Sequence, residues 1–465
     1  MNRALSIVLL FLLAGCVRFH PKPMSAVRSA EDFDRRTLAS DGLRHFFETN
    51  HQTWPLKAWD LNALTLAGFY YHPDLDVARA KWRGAAAAIT TAGERPNPSV
   101  SLSPAYDTTT PPPWILGLSF DIPIETAGKR GHRIRQAKHL LEAARLNLAA
   151  TAWQVRSRVR HSLLELYAAH EIQSALKEQA EAQAKVAGFL EKQLEAGAVS
   201  PVELTQARIN LSNSRLTLLD AQRQEAEARV QMADSIGVPA GAMEGIELSF
   251  GGLDQFPMEL TTAEARRTAA LNRTDILAAL AEYAASQAAL QLEIAKQYPD
   301  LHIGPGYQLD QTDNKWSLGA TLTLPILNQN RGAVAEAMAH REEAAAKFVS
   351  VQAKALGEID RAVAGYRLAR EQAVTVESLL AEVRKRQETA KAMFEAGEVD
   401  ALSVANAQVE FSVGALARVT SILRAQQSLA GLEDAVQSPL SLNVSAPGWE
   451  KNPREKPQTP NSKLQ

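Results

Sequence analysis

Two stretches of this chain resemble each other, QLEAGAVSPVELTQA at 193–207 and MFEAGEVDALSVANA at 393–407. Each ends a long helical pattern with Glu-Ala-Gly, and glycine is the residue that most often follows the end of a helix. A residue whose side chain can cap the next helix comes three positions later, Ser200 or Asp400. Each stretch therefore predicts a sharp turn between two helices.

The similarity extends over most of the chain, and matched residues lie 200 to 202 positions apart. Such steady spacing indicates an internal duplication. Matched groups include His72-Pro73-Asp74 with Arg273-Thr274-Asp275, Pro98 with Pro299, Trp114 with Trp316, and Arg130-Gly131 with Arg331-Gly332. We therefore predict two tandem structural repeats, 60–235 and 261–436, joined by a linker at 236–260.

Most of each repeat has the pattern and composition of helices. Alanine, glutamate, arginine and leucine fill long stretches, and aromatic residues make up 6% of the chain. The longest helices are predicted at 130–196 and 332–396, and each would be about 100 Å long at 1.5 Å per residue. Shorter helices at 74–95 and 201–235 would together nearly match that length. The fold is therefore predicted to be mainly α, built from long helical hairpins.

A small β part interrupts each repeat. Strands are predicted at about 98–108 and 114–122, and again at about 299–309 and 315–324, because apolar residues alternate there with Ser, Gly and Thr. Each pair of strands would form a hairpin with one apolar face and one face of small polar residues. Such a hairpin suits lipid on one side and water on the other. A surface hairpin of a soluble domain is the alternative interpretation.

Aromatic residues and prolines mark particular positions in these strands. The aromatic residues expected at the membrane interface, near the hairpin loops, are Tyr106, Trp114, Tyr307 and Trp316. Pro104 and Pro305 lie within strands, where the missing N–H requires a bulge or an edge strand. Four strands cannot close a barrel, and lipid forbids an open sheet, so several chains must combine their strands.

The first residues have the order of a bacterial lipoprotein signal. In 1–15 a basic residue is followed by an apolar stretch and by small residues, which predicts cleavage before Cys16 and lipidation of this single cysteine. An ordinary signal peptide is the alternative. Because Val17 rather than aspartate follows the cysteine, we expect an outer-membrane location. Residues 16–59 would form a lipid-anchored extension, and 437–465 a disordered tail.

These features together resemble the TolC-like outer-membrane efflux protein family, from about residue 60 to 436. The residues that carry the resemblance are Leu64, Ala67, His72 and Pro73, the strand-ending Pro123 and Pro325, the Arg-Gly pairs that follow them, and the two Glu-Ala-Gly turns. The segment PIETAGKRG is most similar to the branch that serves heavy-metal pumps of the resistance-nodulation-division type, as in cobalt-zinc-cadmium systems.

The resemblance implies a homotrimer whose twelve strands form an outer-membrane β-barrel and whose long helices form a periplasmic tunnel, the α-barrel. It also implies that the helical turns dock a periplasmic adaptor protein, which links this exit duct to an inner-membrane pump. The docking positions would be Gly197, Val199 and Ser200 in the first turn and Gly397, Val399 and Asp400 in the second. Metal cations or small toxic compounds would pass through passively.

One residue is a candidate for the gate of that tunnel. Many members of the family carry acidic residues after the second turn, near Ser403 and Asn406, where this chain is uncharged. Glu203 in the first repeat is therefore our candidate for a carboxylate that faces the lumen and favours cations. A solvated helix residue is the alternative interpretation.

Chemistry other than conduction finds little support in the sequence. We predict no catalytic residues, no cofactor and no metal site, and the net charge of −2 does not favour a nucleic-acid partner. Two alternatives to an efflux duct stay open, a type I secretion duct and a structural or adaptor lipoprotein that forms no pore.

Overall fold

The computed structural model describes residues 19–109, 111–253, 255–257 and 260–440. The predicted signal segment, the lipidation candidate Cys16 and most of the predicted tail lie outside these ranges.

The described chain is mostly helical with a small sheet. Two short helices, α1 (Ala26–Asp34) and α2 (Asp41–Thr49), precede the first repeat. The first repeat contains α3 (Leu61–Tyr71), α4 (Pro73–Gly93), β1 (Ser99–Tyr106), β2 (Trp114–Ile124), α5 (Lys129–Glu195) and α6 (Pro201–Ile236). The second contains α7 (Thr262–Asn272), α8 (Thr274–Ala295), β3 (Leu301–Asp310), β4 (Asp313–Leu322), α9 (Arg331–Glu395) and α10 (Ala401–Val436).

Two very long helices set the length of the molecule. Helix α5 has 67 residues and α9 has 65, so each is about 100 Å long. Their sequences lack proline, which would break the backbone hydrogen bonding of a helix. Alongside α5 lie α4 and α6, of 21 and 36 residues, and α8 and α10 lie in the same way beside α9. One long helix is therefore accompanied by two shorter helices placed end to end.

The helices form one layer whose order follows from their contacts. Helix α5 packs on α4 and α6 of its own repeat and also on α8 and α10 of the second repeat. Helix α9 packs on α7, α8 and α10, which all belong to its own repeat. The layer therefore runs from α4 and α6 through α5 to α8 and α10, and α9 lies at its edge.

The four strands form one antiparallel sheet in the order β1-β2-β3-β4. Pairing of β2 with β3 joins the two repeats, with Leu118 opposite Tyr307. Within the hairpins, Tyr106 lies opposite Trp114 and Tyr307 opposite Trp316. In the described chain, β1 and β4 are the edges of this sheet, and each keeps one side of its backbone unpaired.

The two strand prolines are accommodated in different ways. Pro104 lies in the edge strand β1, where its missing N–H interrupts no second ladder. Pro305 lies in the inner strand β3, and the pairing of β2 with β3 skips it and the adjacent Gly304. The register is the same on both sides of this interruption, so the strand has no bulge. The expectation of a bulge or an edge is therefore correct for Pro104 and wrong for Pro305.

Charged side chains are buried where the two repeats meet. Glu433 of α10 is fully buried and accepts a hydrogen bond from Arg156 of α5 over 2.9 Å, and it also pairs with the buried Arg160. The adjacent Asp434 accepts a hydrogen bond from Trp153 over 2.7 Å. Because a buried charge without a partner is strongly destabilising, these contacts fix α5 against α10.

Each repeat begins at an equivalent junction between a short helix and a long one. In the first, the N–H of Asp74 donates to His72, and Arg158 of α5 reaches Asp74 over 2.9 Å. In the second junction, the arginine precedes the short helix and does not lie on the long one. There Arg273 occupies the His72 position and binds Asp275 over 2.6 Å and Glu358 of α9 over 2.8 Å. Both junctions join a short helix to a long one, but the long helix carries Arg158 in the first junction and Glu358 in the second.

Candidate functional site

The sheet has two chemically different faces. Cross-strand partners point to the same side of a sheet, and alternate residues along a strand point to opposite sides. The register therefore places the apolar residues of all four strands on one face: Val100, Leu102, Tyr106, Trp114, Leu116, Leu118, Phe120, Ile122, Ile303, Tyr307, Leu309, Trp316, Leu318 and Leu322. Many of these side chains are exposed, and Leu318 is 76% exposed. An apolar face of this extent is rare on a surface that meets water.

The opposite face of the sheet carries small and polar side chains. Serine and glycine predominate, as at Ser101, Gly117, Ser119, Gly306 and Ser317, and Ile115 is a large apolar residue among them. A Cβ added to Gly117 would lie 2.4 Å from the Ser103 hydroxyl, so a larger residue there would displace its neighbour.

A histidine and an aspartate lie together at the end of this polar face that is nearer the helices. The Nδ1 atom of His302 in β3 lies 3.0 Å from the Asp121 carboxylate in β2. These residues belong to different repeats and are 181 positions apart, so no local pattern in the sequence predicts that they meet.

The four aromatic residues predicted at the membrane interface form two pairs at the loop end of the sheet. The ring centroids of Tyr106 and Trp114 are 5.0 Å apart, and those of Tyr307 and Trp316 are 4.9 Å apart. Each pair joins the two strands of one hairpin on the apolar face. Tyrosine and tryptophan with exposed rings are common where lipid meets water.

The two helical turns have the same backbone geometry. Gly197 and Gly397 have φ angles of 74° and 78°, in the left-handed region that favours glycine. The next N–H donates back into the helix in each turn, from Ala198 to Gln193 and from Glu398 to Met393, over 2.8 Å in both. These are helix-ending turns of the Schellman type.

The cap that follows each turn differs in strength. Ser200 accepts the N–H of Glu203 over 3.4 Å, whereas Asp400 accepts the N–H of Ser403 over 2.9 Å and also its hydroxyl over 2.7 Å. The Ser403 hydroxyl and N–H lower the pKa of the Asp400 carboxyl. The second turn therefore has the tighter cap.

The predicted docking residues lie together at the far end of the helix layer from the sheet. Gly197, Ser200, Gly397 and Asp400 are exposed, while Val199 and Val399 are half-buried beneath them. Under the first turn, Val186 and Ala187 of α5 pack with Leu402 of α10, so the two turns are neighbours.

Glu203 lies in the first turn of α6, next to the docking residues. Its side chain is exposed, and no ion pair of its carboxylate occurs among the residues that the structure describes. The structure therefore places this gate candidate at the turn end of the helix layer.

Two kinds of feature are absent from the described ranges. No three His, Cys, Asp or Glu side chains there come close enough to share a metal ion. No helix there has the length and apolar character needed to cross a membrane.

Comparison with known proteins gives a family match over most of the chain. The family model described as outer membrane efflux protein matches residues 71–238 and 265–437. These two segments correspond to the two repeats, and the gap between them contains the linker.

Two characterised relatives match with similar identity but different coverage. The cobalt-zinc-cadmium resistance protein CzcC of Cupriavidus metallidurans is 28% identical over 291 residues, which are 62% of this chain and 69% of CzcC. The pyoverdine export outer membrane protein OpmQ of Pseudomonas aeruginosa is 28% identical over 222 residues, 46% of each chain.

A solved structure has the same fold. The outer membrane protein VceC of Vibrio cholerae aligns with a TM-score of 0.67 over 82% of this chain and 97% of its own, at 21% sequence identity. The fold, with long helical hairpins and a small sheet at one end, is therefore shared by both proteins.

Proposed function

The chain belongs to the outer membrane efflux protein family, and from this premise we propose that three copies form the exit duct of a tripartite efflux system. The duct conducts solutes passively from an inner-membrane pump and a periplasmic adaptor to the outside. The channel lies in the outer membrane and extends into the periplasm, and Cys16 anchors it by a lipid. Conduction through a water-filled lumen requires no catalytic residue.

The two-faced sheet is the observation that carries this proposal. Its apolar face suits the hydrocarbon of a bilayer, and its face of serines and glycines suits a water-filled lumen. The edges β1 and β4 leave backbone groups unpaired, and such groups cannot be left exposed in lipid. Pairing β4 of one copy with β1 of the next satisfies both edges. Three copies of four strands then give a closed barrel of twelve strands.

The helix layer supports the same assembly. Each copy contributes four helical columns: α4 with α6, α5, α8 with α10, and α9. Closing three such layers into a ring gives a tunnel of twelve columns that continues the lumen away from the membrane. The helical turns then form the far rim of the tunnel. The exposed residues at Gly197 and Gly397 are the proposed contacts of the adaptor.

The proposed cargo is inferred from CzcC, which aligns with more of this chain than OpmQ does. CzcC is a cobalt-zinc-cadmium resistance protein, and we propose that this duct likewise serves a pump of the resistance-nodulation-division type that exports metal cations. Three copies of Glu203 would place negative charge at the narrow end of the tunnel, which favours cations.

The first test is the mass and conductance of the intact protein. We expect protein extracted in mild detergent to have the mass of three chains and to conduct ions in planar bilayers. A monomer that does not conduct would overturn the duct and favour a lipoprotein that forms no pore.

A matched pair of cysteine variants tests which face of the sheet lines the lumen. Leu118 and Ser119 are adjacent in β2 and point to opposite faces. We expect a membrane-impermeant thiol reagent to reduce the single-channel current of Ser119→Cys and to leave the current of Leu118→Cys unchanged. The reverse result would show that the faces are assigned wrongly.

The cargo is tested in cells that depend on this duct. A strain without the gene should become sensitive to cobalt, zinc or cadmium, and the intact gene should restore tolerance. Sensitivity to organic compounds alone would overturn the metal assignment while leaving the duct intact.

A further inference from the structure

We propose that a cavity between α5, α10 and the linker at 236–260 binds a small amphiphilic carboxylate, whose charged group is held by Arg160 and Arg156. We call it the junction cavity, because it lies where the two repeats meet. This inference goes beyond the proposed function and does not depend on it, since binding in the junction cavity needs neither a pore nor a second copy of the chain.

The junction cavity has the size and the mixed lining of a site for a small molecule. Its volume is about 520 Å³, and ligand sites usually have volumes of about 300 to 1,000 Å³. Arg156 and Arg160 of α5 line it, and both are buried. Apolar side chains form much of the remaining wall: Leu163, Leu164, Phe256, Leu429 and Leu440. A ligand with an anionic group and an apolar body matches this lining.

Arg160 has donors that no described residue uses. The residue is 5% exposed, and its Nη1 atom is buried without a hydrogen bond to any part of the chain that the structure describes. This atom touches the carboxylate of Glu433 as an ion pair only. A buried donor without an acceptor is costly, and a guanidinium can donate to both oxygens of one carboxylate. A carboxylate ligand in the cavity would supply the missing acceptor.

Glu433 does not satisfy both arginines. Its Oε2 atom accepts the hydrogen bond from Arg156 over 2.9 Å, and the same atom is the one that Arg160 touches. Its Oε1 atom accepts the N–H of Leu440 over 3.1 Å. Two buried guanidinium groups at the cavity therefore share one carboxylate.

Two further carboxylates lie nearby, and neither pairs with Arg160. Asp434 accepts a hydrogen bond from Trp153 and is not among the described residues that line the cavity. Asp60 does line it, but its carboxylate caps the start of α3. Burial lowers the pKa of Arg160 despite the attraction of Glu433 and Asp434, so its charge would be stabilised by another anion.

The equivalent positions of the other repeat lack this cluster. In place of Arg156, Arg160 and Glu433 they carry Leu356, Asp360 and Ala233. The cluster is therefore particular to one junction and is not a general requirement of the repeat. Arg156 alone would neutralise Glu433, and a ligand gives the second buried arginine a role.

A buried side chain holds the linker at the cavity. Gln426 of α10 is 3% exposed, and its Nε2 atom donates to the carbonyls of Leu253 over 2.5 Å and of Gln255 over 3.3 Å. Both of these linker residues line the cavity. Because this wall is already fixed, a ligand does not have to order it on binding, which favours affinity.

Calorimetric titration of the full chain with octanoate tests the proposal. The protein is kept in a neutral detergent near neutral pH, and the matched probes are octanamide, which keeps the chain but has no charge, and acetate, which keeps the charge but has no chain. We expect octanoate alone to bind and to raise the thermal unfolding midpoint, since a ligand that binds only the folded state stabilises it. Absence of octanoate binding, or equal binding of octanamide or acetate, would overturn the proposal.

Three variants assign the binding to this cavity. Arg160→Gln should weaken octanoate binding by about tenfold or more, because it removes charged hydrogen bonds while Arg156 still balances Glu433. Asp60→Asn should strengthen binding, because it removes a negative charge from the lining and asparagine caps a helix as well as aspartate does. Arg145→Gln removes an exposed charge from the same helix and should bind octanoate as the wild type does.

The outcome does not depend on whether every variant folds. If Arg160→Gln keeps the helical circular dichroism and the octanoate affinity of the wild type, the proposal is overturned. If Arg160→Gln does not fold, Asp60→Asn decides, and an affinity no higher than that of the wild type overturns the proposal. A loss of affinity in Arg145→Gln equal to that in Arg160→Gln would show that octanoate responds to the net charge of the chain, which also overturns it.

Discussion

Helices α5 and α9 occupy equivalent places in the two repeats, yet α5 has about three times as many buried residues as α9. They have nearly the same length, 67 and 65 residues, and each ends in the same glycine turn. Buried residues number 23 in α5 and 7 in α9. The difference arises because α5 has helices of both repeats as neighbours, whereas α9 packs within its own repeat. Within one chain, the helix layer therefore has a packed interior at α5 and two edges, one at α9 and one at α4 with α6.

This difference separates interactions that fold the chain from interactions that assemble it. The contact of α5 with α10 forms inside one copy and includes the buried Glu433. In the proposed ring, the contact of the α9 edge of one copy with the α6 edge of the next forms between copies and lacks such a buried charge, because Ala233 matches Glu433 and Leu356 matches Arg156. Substitutions at matched positions should therefore affect folding in one case and assembly in the other.

The largest effect is expected at the buried ion pair between the repeats. Glu433→Gln removes the charge that balances Arg156 and Arg160 in a buried site, and such a loss costs about 3–5 kcal/mol of stability. Glu410→Gln on the same helix is the control, because Glu410 pairs with the exposed Arg386 and should contribute less than about 1 kcal/mol. Denaturant unfolding followed by helical circular dichroism measures both. Equal midpoints for the two variants would contradict the role of this junction.

Matched substitutions at Leu219 of α6 and Val419 of α10 should separate assembly from folding, because Leu219 is 61% exposed and Val419 is 5% exposed. Leu219→Asp should leave the helical signal of the chain intact and weaken association, because burial of one leucine side chain is worth about 1.5–3 kcal/mol, a factor of about ten or more per contact. Val419→Asp places a charge in an interior that forms within one chain and should lower the unfolding midpoint. Light scattering in detergent and circular dichroism distinguish the outcomes. Loss of folding in Leu219→Asp would show that this side chain is already needed for packing within the chain.

Much of this architecture is predictable because the local patterns are strong. Alternation in the strands predicts the two faces of the sheet, and the structure shows that all four strands put most of their large apolar residues on one side, with Ile115 as an exception. Long stretches without proline predict helices of about 100 Å, and glycine at 197 and 397 predicts where they end. These features depend on neighbours in sequence and on side-chain periodicity.

The contacts between repeats could not be predicted in the same way. Arg156 and Glu433 are 277 residues apart, and their pairing depends on which helices lie side by side. A signal does exist in the duplication, since each of these charged residues matches an apolar residue in the other repeat. The way in which β3 accommodates Pro305 also could not be predicted. It depends on β3 being an inner strand, and on the ladder between β2 and β3 lacking the pairs at Gly304 and Pro305.

The two helical turns offer a smaller comparison. Asp400→Ala should destabilise the start of α10 by about 1 kcal/mol or slightly more, because it removes an acceptor of two hydrogen bonds. Ser200→Ala removes one long hydrogen bond and should cost less. Hydrogen exchange of the amides of Glu203 and Ser403 measures the two effects locally. Faster exchange after Ser200→Ala than after Asp400→Ala would reverse the order of cap strength that the distances indicate.

The smallest effect is expected at the junctions where the repeats begin, and it is confined to a window of pH. Burial lowers the pKa of His72, whereas the equivalent Arg273 stays charged. The unfolded chain therefore binds a proton at position 72 more readily, so the stability that the neutral His72 contributes falls as the pH drops below about 6.5, and this contribution is gone below the native pKa.

That pH dependence can be assigned to one side chain. His72→Gln keeps a group that can accept the N–H of Asp74 but does not titrate, so it should remove the pH dependence at the start of α4. Hydrogen exchange at the start of α4 and of α8 in one sample, corrected for the intrinsic effect of pH, measures the two junctions together. Arg273 makes the α8 junction the internal reference, since its charge does not change in this range. An equal response of both junctions, or a response that survives in His72→Gln, would show that the exchange of charges between the repeats has no consequence for their stability.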